Sequence, residues 1–202
     1  NVTLTATANS GYEFVNWTVN GNIVSISPEY TFTVNSEIEY VAHFQIALEK
    51  LELTAAKATF PSYGSITTNS IIDGSYNTDY LSDIVQSTGS TIEVTLAREA
   101  LIGKVNMYFG LNNRPHIAMI QVSTDNKHWK DVEGTKFKGD DAIYQSVPPT
   151  YRYVITKHIS QPVVAKYVRM YVVTPQLTHN LQMKEFEVYE THIDVAPRTI
   201  SV

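Results

Sequence analysis

Residues 71–83 read IIDGSYNTDYLSD and place oxygen-bearing side chains at Asp73, Ser75, Asn77 and Asp79. Oxygens at every second residue resemble the opening of a calcium loop, because calcium takes about six to eight hard oxygen ligands. An EF-hand loop also needs Gly at its sixth position and a bidentate Glu at its twelfth. Counted from Asp73, those positions hold Thr78 and Ile84, so a helix–loop–helix site is excluded. What remains is an oxygen-rich turn whose closing carboxylate must come from elsewhere. The metal-free alternative is an Asx turn in which Asp73 caps its own loop.

Other chemistry finds little support. The histidines, His43, His116, His128, His158, His179 and His192, are scattered with no metal-binding spacing. No G-x-S-x-G elbow or glycine-rich phosphate loop occurs. Glu185 and Glu187 share one strand face. Neighbours on one strand cannot flank a sugar from both sides, as glycoside hydrolysis requires. There is no cysteine, which removes disulfides, thiol catalysis and Cys-based zinc sites. A net charge of −5 without a basic run argues against nucleic acid and anionic lipid as partners. No apolar run approaches the length of a membrane span. This reading makes the fragment non-catalytic.

The elements that must position these residues are strands. Thr, Val, Ile and 13 Tyr, broken by short Asn, Gly, Ser and Pro clusters, favour β-structure throughout. Only IALEKLELTAAKA suggests a helical turn or two. In the first segment, strands are expected near 2–8, 13–19, 30–34 and 38–44, with VNGN (19–22) as a hairpin turn. GYEFVNW, NG, YTFTV and YVAHF together resemble the divergent InlB B-type repeat of bacterial surface and secreted proteins. That resemblance implies a small β-grasp-like spacer over residues 1–47. The copy lacks the glycine-led first strand, as an N-terminally truncated repeat would. Trp17 fits its buried pattern and is expected to plug the core rather than stack on a ligand.

Beyond the charged connection IALEKLELT, strands read as 90–96, 103–110, 118–124, 152–157, 165–173 and 183–190. In the fifth, Val168, Met170 and Val172 fall on one face, Arg169 and Tyr171 on the other. IQVSTDNKHWKDV, with IIDGSYNT and STIEVTL before it and AKYVRMYV and EFEVYE after it, is similar to the F5/8 type C (discoidin) domain. Bacterial relatives are the family 32 carbohydrate-binding modules. The resemblance implies an all-β chain whose residues 48–190 form an eight-stranded antiparallel jelly-roll β-sandwich of the galactose-binding-domain type. Residues 191–202 would be a tail or linker, and Trp129 is assigned to the core.

The family also implies a structural calcium ion. Its D-x-x-x-x-T turn matches at Asp73 and Thr78, and Glu185 takes the last-strand position. Carbonyls of Ser70, Ser75, Thr78 and Lys184 are the expected further ligands. Phe186 and Val188 would then point inward while Glu185 faces the turn. For glycans, the resemblance implies a shallow site between loops at one end of the sandwich. Galactose-binding members commonly carry Trp-His after the turn, where this chain has Tyr80-Leu81. The mid-chain loop GLNNRPH offers Asn112, Asn113 and Arg114; the late loop TPQLTHNL offers Gln176, His179 and Asn180 but no aromatic. Nothing beyond Tyr80-Leu81 speaks for a lipid surface.

Taken together, the sequence reads as a carbohydrate-binding accessory region of a larger exported bacterial protein, with a glycoside hydrolase as the expected parent. The glycan would contain galactose or an N-acetylhexosamine, and the location would be secreted, periplasmic or cell-surface. The competing reading is a structural or adhesive module that packs on a catalytic domain or protein partner without binding sugar.

Overall fold

The structure is a computed structural model that describes residues 1–191, apart from 10, 35–36, 65–66, 112 and 148–149. The chain divides into two compact units, Asn1–Leu48 and Glu49–Glu190.

The first unit contains β1 (Val2–Thr5), β2 (Tyr12–Val19), β3 (Asn22–Ser25), β4 (Glu29–Phe32) and β5 (Val41–Ile46). β1 pairs with β4, while β3, β2 and β5 form a separate antiparallel sheet. The β2–β3 turn sits on Asn20 and Gly21 with φ of 48° and 78°. Positive φ at both central residues is the geometry that matches strand twist in a two-residue hairpin, and Asn-Gly is the pair that adopts it at least cost. Trp17 is only 7% exposed. Its ring packs 5.8 Å from Phe14, which in turn meets Phe44 edge-on at 5.8 Å. The indole N–H donates to the Pro28 carbonyl at 3.3 Å, so the polar end of the plug is satisfied.

The second unit is built from one large antiparallel sheet. Its strands are β6 (Leu48–Lys50), β7 (Leu53–Ala58), β8 (Tyr80–Val85), β9 (Thr91–Phe109), β10 (Ile117–Ser123), β11 (Lys130–Asp131), β12 (Phe137–Lys138), β13 (Ile143–Val147), β14 (Thr150–Thr174) and β15 (Asn180–Thr191). Short 3-10 turns occupy Thr68–Ile71 and Gly139–Asp141. The segment IALEKLELTAAKA, read from its Ala, Leu, Lys and Glu content as a possible helical turn, is instead β6 and β7. Pairing of β7 with β9 and of β6 with β15 overrides local propensity there.

Two long strands organise the fold. β14 pairs with β9 in three stretches separated by irregularities between His158 and Val163 and between Ala165 and Tyr167. One half of this pair continues into β7 and β10, the other into β15 and β13. The curled sheet thus forms two layers around one core. Ile92, Val94, Val168 and Met170 from one layer share that core with Val105, Met107, Phe186 and Val188 from the other. Each such side chain contributes about 1.5–3 kcal/mol on burial. The sheet has ten strands where the resemblance implies eight, partly because β11 and β12 are two-residue additions beside β10.

Trp129 does not belong to this core. It is half-buried on the outer face, with the Arg169 guanidinium 3.9 Å above its ring. Arg169 is also held by Gln121. Trp129 follows the turn Ser123–His128, closed by the Asp125 carboxylate, which accepts from the Lys127 and His128 N–H groups.

Candidate functional site

The oxygen-rich turn lies beside the last strand. Thr78 donates its hydroxyl to the Asp73 carboxylate, 2.8 and 3.0 Å from its two oxygens, and the Ser75 carbonyl stands 3.1 Å away. The Ser70 carbonyl is at 3.5 Å. Asp73 Oδ1 also accepts the Ser75 N–H at 2.8 Å, so the Asx turn forms as well. On β15, Phe186 and Val188 are buried in the core and Glu185 faces the other way, only 2% exposed. Its Oε2 has no hydrogen-bond partner. Burial pushes the Glu185 carboxyl up to about 8, with Asp73 adding to the rise; the Lys50 ammonium and the Gly74 N–H oppose it.

A cation bound between the turn and Glu185 would offset the cost of ionising that carboxyl, whose Oε2 is unpartnered. Among the described residues no group of three or more His, Cys, Asp and Glu gathers, so such a site must draw on carbonyls and a hydroxyl. Calcium accepts that donor set and the softer transition metals do not favour it. Asp79 points elsewhere: it accepts from Gln182 at 2.6 Å and pairs with Lys184 at 3.7 Å. The Lys184 side chain also reaches the Tyr76 carbonyl at 3.4 Å.

Two residues further along β15, Glu187 is the hub of a polar network. Its carboxylate accepts from Lys50 (2.7 Å), Tyr76 (3.0 Å), Asn106 (3.1 Å), Tyr108 (2.9 Å) and Tyr189 (2.8 Å). Burial by itself would raise this carboxyl, but Lys50 and the hydrogen bonds outweigh it and bring it down to about 2. Burial and the neighbouring Glu187 charge push the Tyr108 and Tyr189 phenols up. Tyr76 ties the oxygen-rich turn into this network, its ring 4.8 Å from Tyr108 and capped by Arg152 at 3.8 Å.

The loop that follows β9 meets the start of β15 at one end of the sandwich. Gln182 N–H donates to the Asn113 carbonyl at 2.9 Å, joining the mid-chain and late loops. Asn180 is half-buried and spends its amide on the Ser82 carbonyl at 2.8 Å. His179 is exposed and bonded to its neighbour Thr178, and Gln176 is half-buried in the same loop. Arg114 acts as a staple: it donates to the Gly139, Gly110 and Leu111 carbonyls and caps the Tyr153 ring at 4.1 Å. Asn112 lies outside the described residues.

Tyr80 is a correction. It is 0% exposed, stacked on Phe60 and bonded to the Phe60 carbonyl at 2.7 Å, and faces the core rather than a ligand. In β8 the alternation puts Tyr80 and Ser82 inside, with Leu81 and Asp83 turned outward. Sequence reasoning also passed over Gln182, whose amide links Asp79 to this end, and the β13–β14 hairpin beside it.

The F5/8 type C domain model matches residues 53–185. The chain belongs to the F5/8 type C domain family. Ahead of that domain, the divergent InlB B-repeat domain model matches residues 1–47. No curated protein matches the chain. Among solved structures, the F5/8 type C unit is similar to the family 32 carbohydrate-binding module of Clostridium perfringens NanJ in complex with galactose. The two are 18% identical with a TM-score of 0.55, over 71% of this chain and 100% of that one. It is also similar to chitosan-binding module 1 of a chitosanase/glucanase from Paenibacillus sp. IK-5, at 22% identity and a TM-score of 0.57, covering 71% and 99% of the two chains. A third similar structure is a Clostridium perfringens family 32 module in complex with GalNAc-β-1,3-galactose, at 17% identity and a TM-score of 0.55, covering 69% and 99%. At these identities the likeness establishes the F5/8 type C fold of this chain. Among the described residues no helix is long and apolar enough to cross a membrane.

Proposed function

We propose that this F5/8 type C domain is a non-catalytic glycan-binding module of a larger exported bacterial protein, and that the repeat ahead of it is a spacer. The observation that carries the reading is the loop end of the sandwich. There the backbone of Asn113 is fastened to the start of β15, and the loop just ahead of that strand carries Gln176 and the exposed His179. Neutral amides and imidazole on a fixed scaffold suit the reading of sugar hydroxyls. Solved structures of the same fold hold galactose and a GalNAc-containing disaccharide, which supports sugars of that class as ligands here. Linkage to a glycoside hydrolase would raise the local concentration of enzyme at its substrate without needing a tight site. Glu187, engaged by five donors, is a structural carboxylate and not a catalytic one.

The oxygen-rich turn fits a structural calcium ion held by Asp73, Thr78, Glu185 and the carbonyls of Ser70, Ser75, Thr78 and Lys184. Such an ion would fasten the turn to the last strand and supply no catalysis. Chelation of the calcium-loaded chain is expected to lower its melting temperature; an unchanged melt removes the ion from the proposal.

A second reading has specific support. Arg114, Asn180 and Tyr80 are committed to the fold, which leaves fewer groups for a sugar. On that reading the domain packs against its own parent or a protein partner. Screening the full chain on arrayed glycans separates the two: retention on a defined set of glycans supports binding, and retention on none favours the structural role.

A further inference from the structure

The late loop lacks the aromatic ring on which a sugar face would rest, but the β13–β14 hairpin supplies two. Its register pairs Tyr144 with Tyr153 and Ser146 with Tyr151, so these four residues share one face. The Tyr144 and Tyr151 rings are parallel to within 4° at 6.4 Å, and Tyr144 tilts against Tyr153 at 5.3 Å. Tyr144 and Tyr151 are nevertheless 48% and 50% exposed. In the second unit the only other exposed aromatic among the described residues is Tyr63.

A diagonal tyrosine pair can stabilise a hairpin by mutual contact alone. That role does not require half of each residue's surface to stay open to solvent, nor an anchor beside the loop that carries Asn113. Here the anchor is Arg114. Its guanidinium caps Tyr153 while its hydrogen bonds hold Gly110 and Gly139, so the tyrosine face continues from the mid-chain loop. Tyrosine also suits such a surface because it offers a large flat area with only two side-chain torsions to fix.

We infer that Tyr144 and Tyr151 form the stacking platform for a pyranose ring of the bound glycan, taking the place of the missing late-loop aromatic. The inference rests on the glycan-binding reading above. The face of an aromatic ring carries partial negative charge, which attracts the polarised C–H groups on the apolar side of a pyranose. The amides and imidazole of the neighbouring loops would then read the hydroxyls at the sugar's edge.

The test uses the full chain and the glycan it retains best on an array. Y144A and Y151A are each expected to weaken Kd about tenfold, the scale of one aromatic contact. Y144F and Y151F, which keep the ring, should bind like the parent. If the alanine variants melt early, the parent chain itself decides: the ring resonances of Tyr144 and Tyr151 should shift on titration with that glycan. Unchanged affinity in folded alanine variants, or unshifted rings, overturns the platform while leaving glycan binding in place. A parent chain retained by no glycan overturns both.

Discussion

Replacing Glu187 by Gln tests whether the polar network on β15 holds the domain together. The carboxylate offers two oxygens to five donors, one of them the Lys50 ammonium. A Gln side chain keeps the shape but only one acceptor oxygen. Its NH2 group meets either Lys50 or the Asn106 NH2, neither of which can accept, while the tyrosine hydroxyls can turn to accept from it. Lys50 loses its charged partner and the donors on the NH2 side lose an acceptor. Breaking a buried charged pair from one side costs about 3–5 kcal/mol. Lys50 is partly exposed and can reach water, which places the cost toward the lower end of that range. At about 3–4 °C per kcal/mol for a unit of this size, E187Q should lower the melting temperature by about 10 °C. Y76F removes one of the five donors and should cost only about 0.5–1.5 kcal/mol. Calorimetry of the full chain reads both, the second unit melting as its own transition. If E187Q costs less than about 1 kcal/mol, or no more than Y76F, the carboxylate is not the hub that its hydrogen bonds describe.

Three further outcomes follow from particular contacts. W17A removes the plug of the first unit and should cost about 3–5 kcal/mol, enough to melt that unit at room temperature in calorimetry while the second transition stays in place. A Cβ at Gly139 would meet the Pro115 carbonyl at 2.2 Å, so G139A should destabilise the second unit by about 1–3 kcal/mol in urea unfolding. It should also disturb the loop that carries Asn113. Asp125 is held below the usual carboxylate range by the His128 N–H and side chain and by the Lys127 N–H. A lowered folded pKa contributes stability that is full above the unfolded value near 4 and fades as pH falls further. D125N should therefore melt below the parent at pH 7, with the gap closing under acid; a gap that is constant with pH would contradict this.

The strands were legible wherever one face meets the core. Val168, Met170 and Val172, or Phe186 and Val188, alternate as β-structure demands, and the parity placed Glu185 opposite the core correctly. The Asn20-Gly21 turn was equally plain, because few residues adopt positive φ at both positions. Strand continuity was less visible. Residues 90–96 and 103–110 read as separate strands, yet Thr91–Phe109 is one, since Ala97–Leu101 changes its pairing without leaving the sheet. β6 and β7 were hidden by residues that favour helices when no neighbour is considered. At the candidate site, local spacing brings Asp73 and Thr78 together, whereas nothing local to the turn fixes which of Tyr80 and Leu81 faces the core in β8. Tyr144 and Tyr151 carry no local signal: only the hairpin register puts them on one face beside Arg114.

Calorimetric titration of the full chain with its best-retained glycan tests the central claim most directly, when read beside a variant carrying Asn113→Ala and His179→Ala. Saturable binding by the parent, lost in the variant at an unchanged melting temperature, is the predicted result. Equal binding by both would contradict the placement of the sugar at the loop end of the F5/8 type C domain.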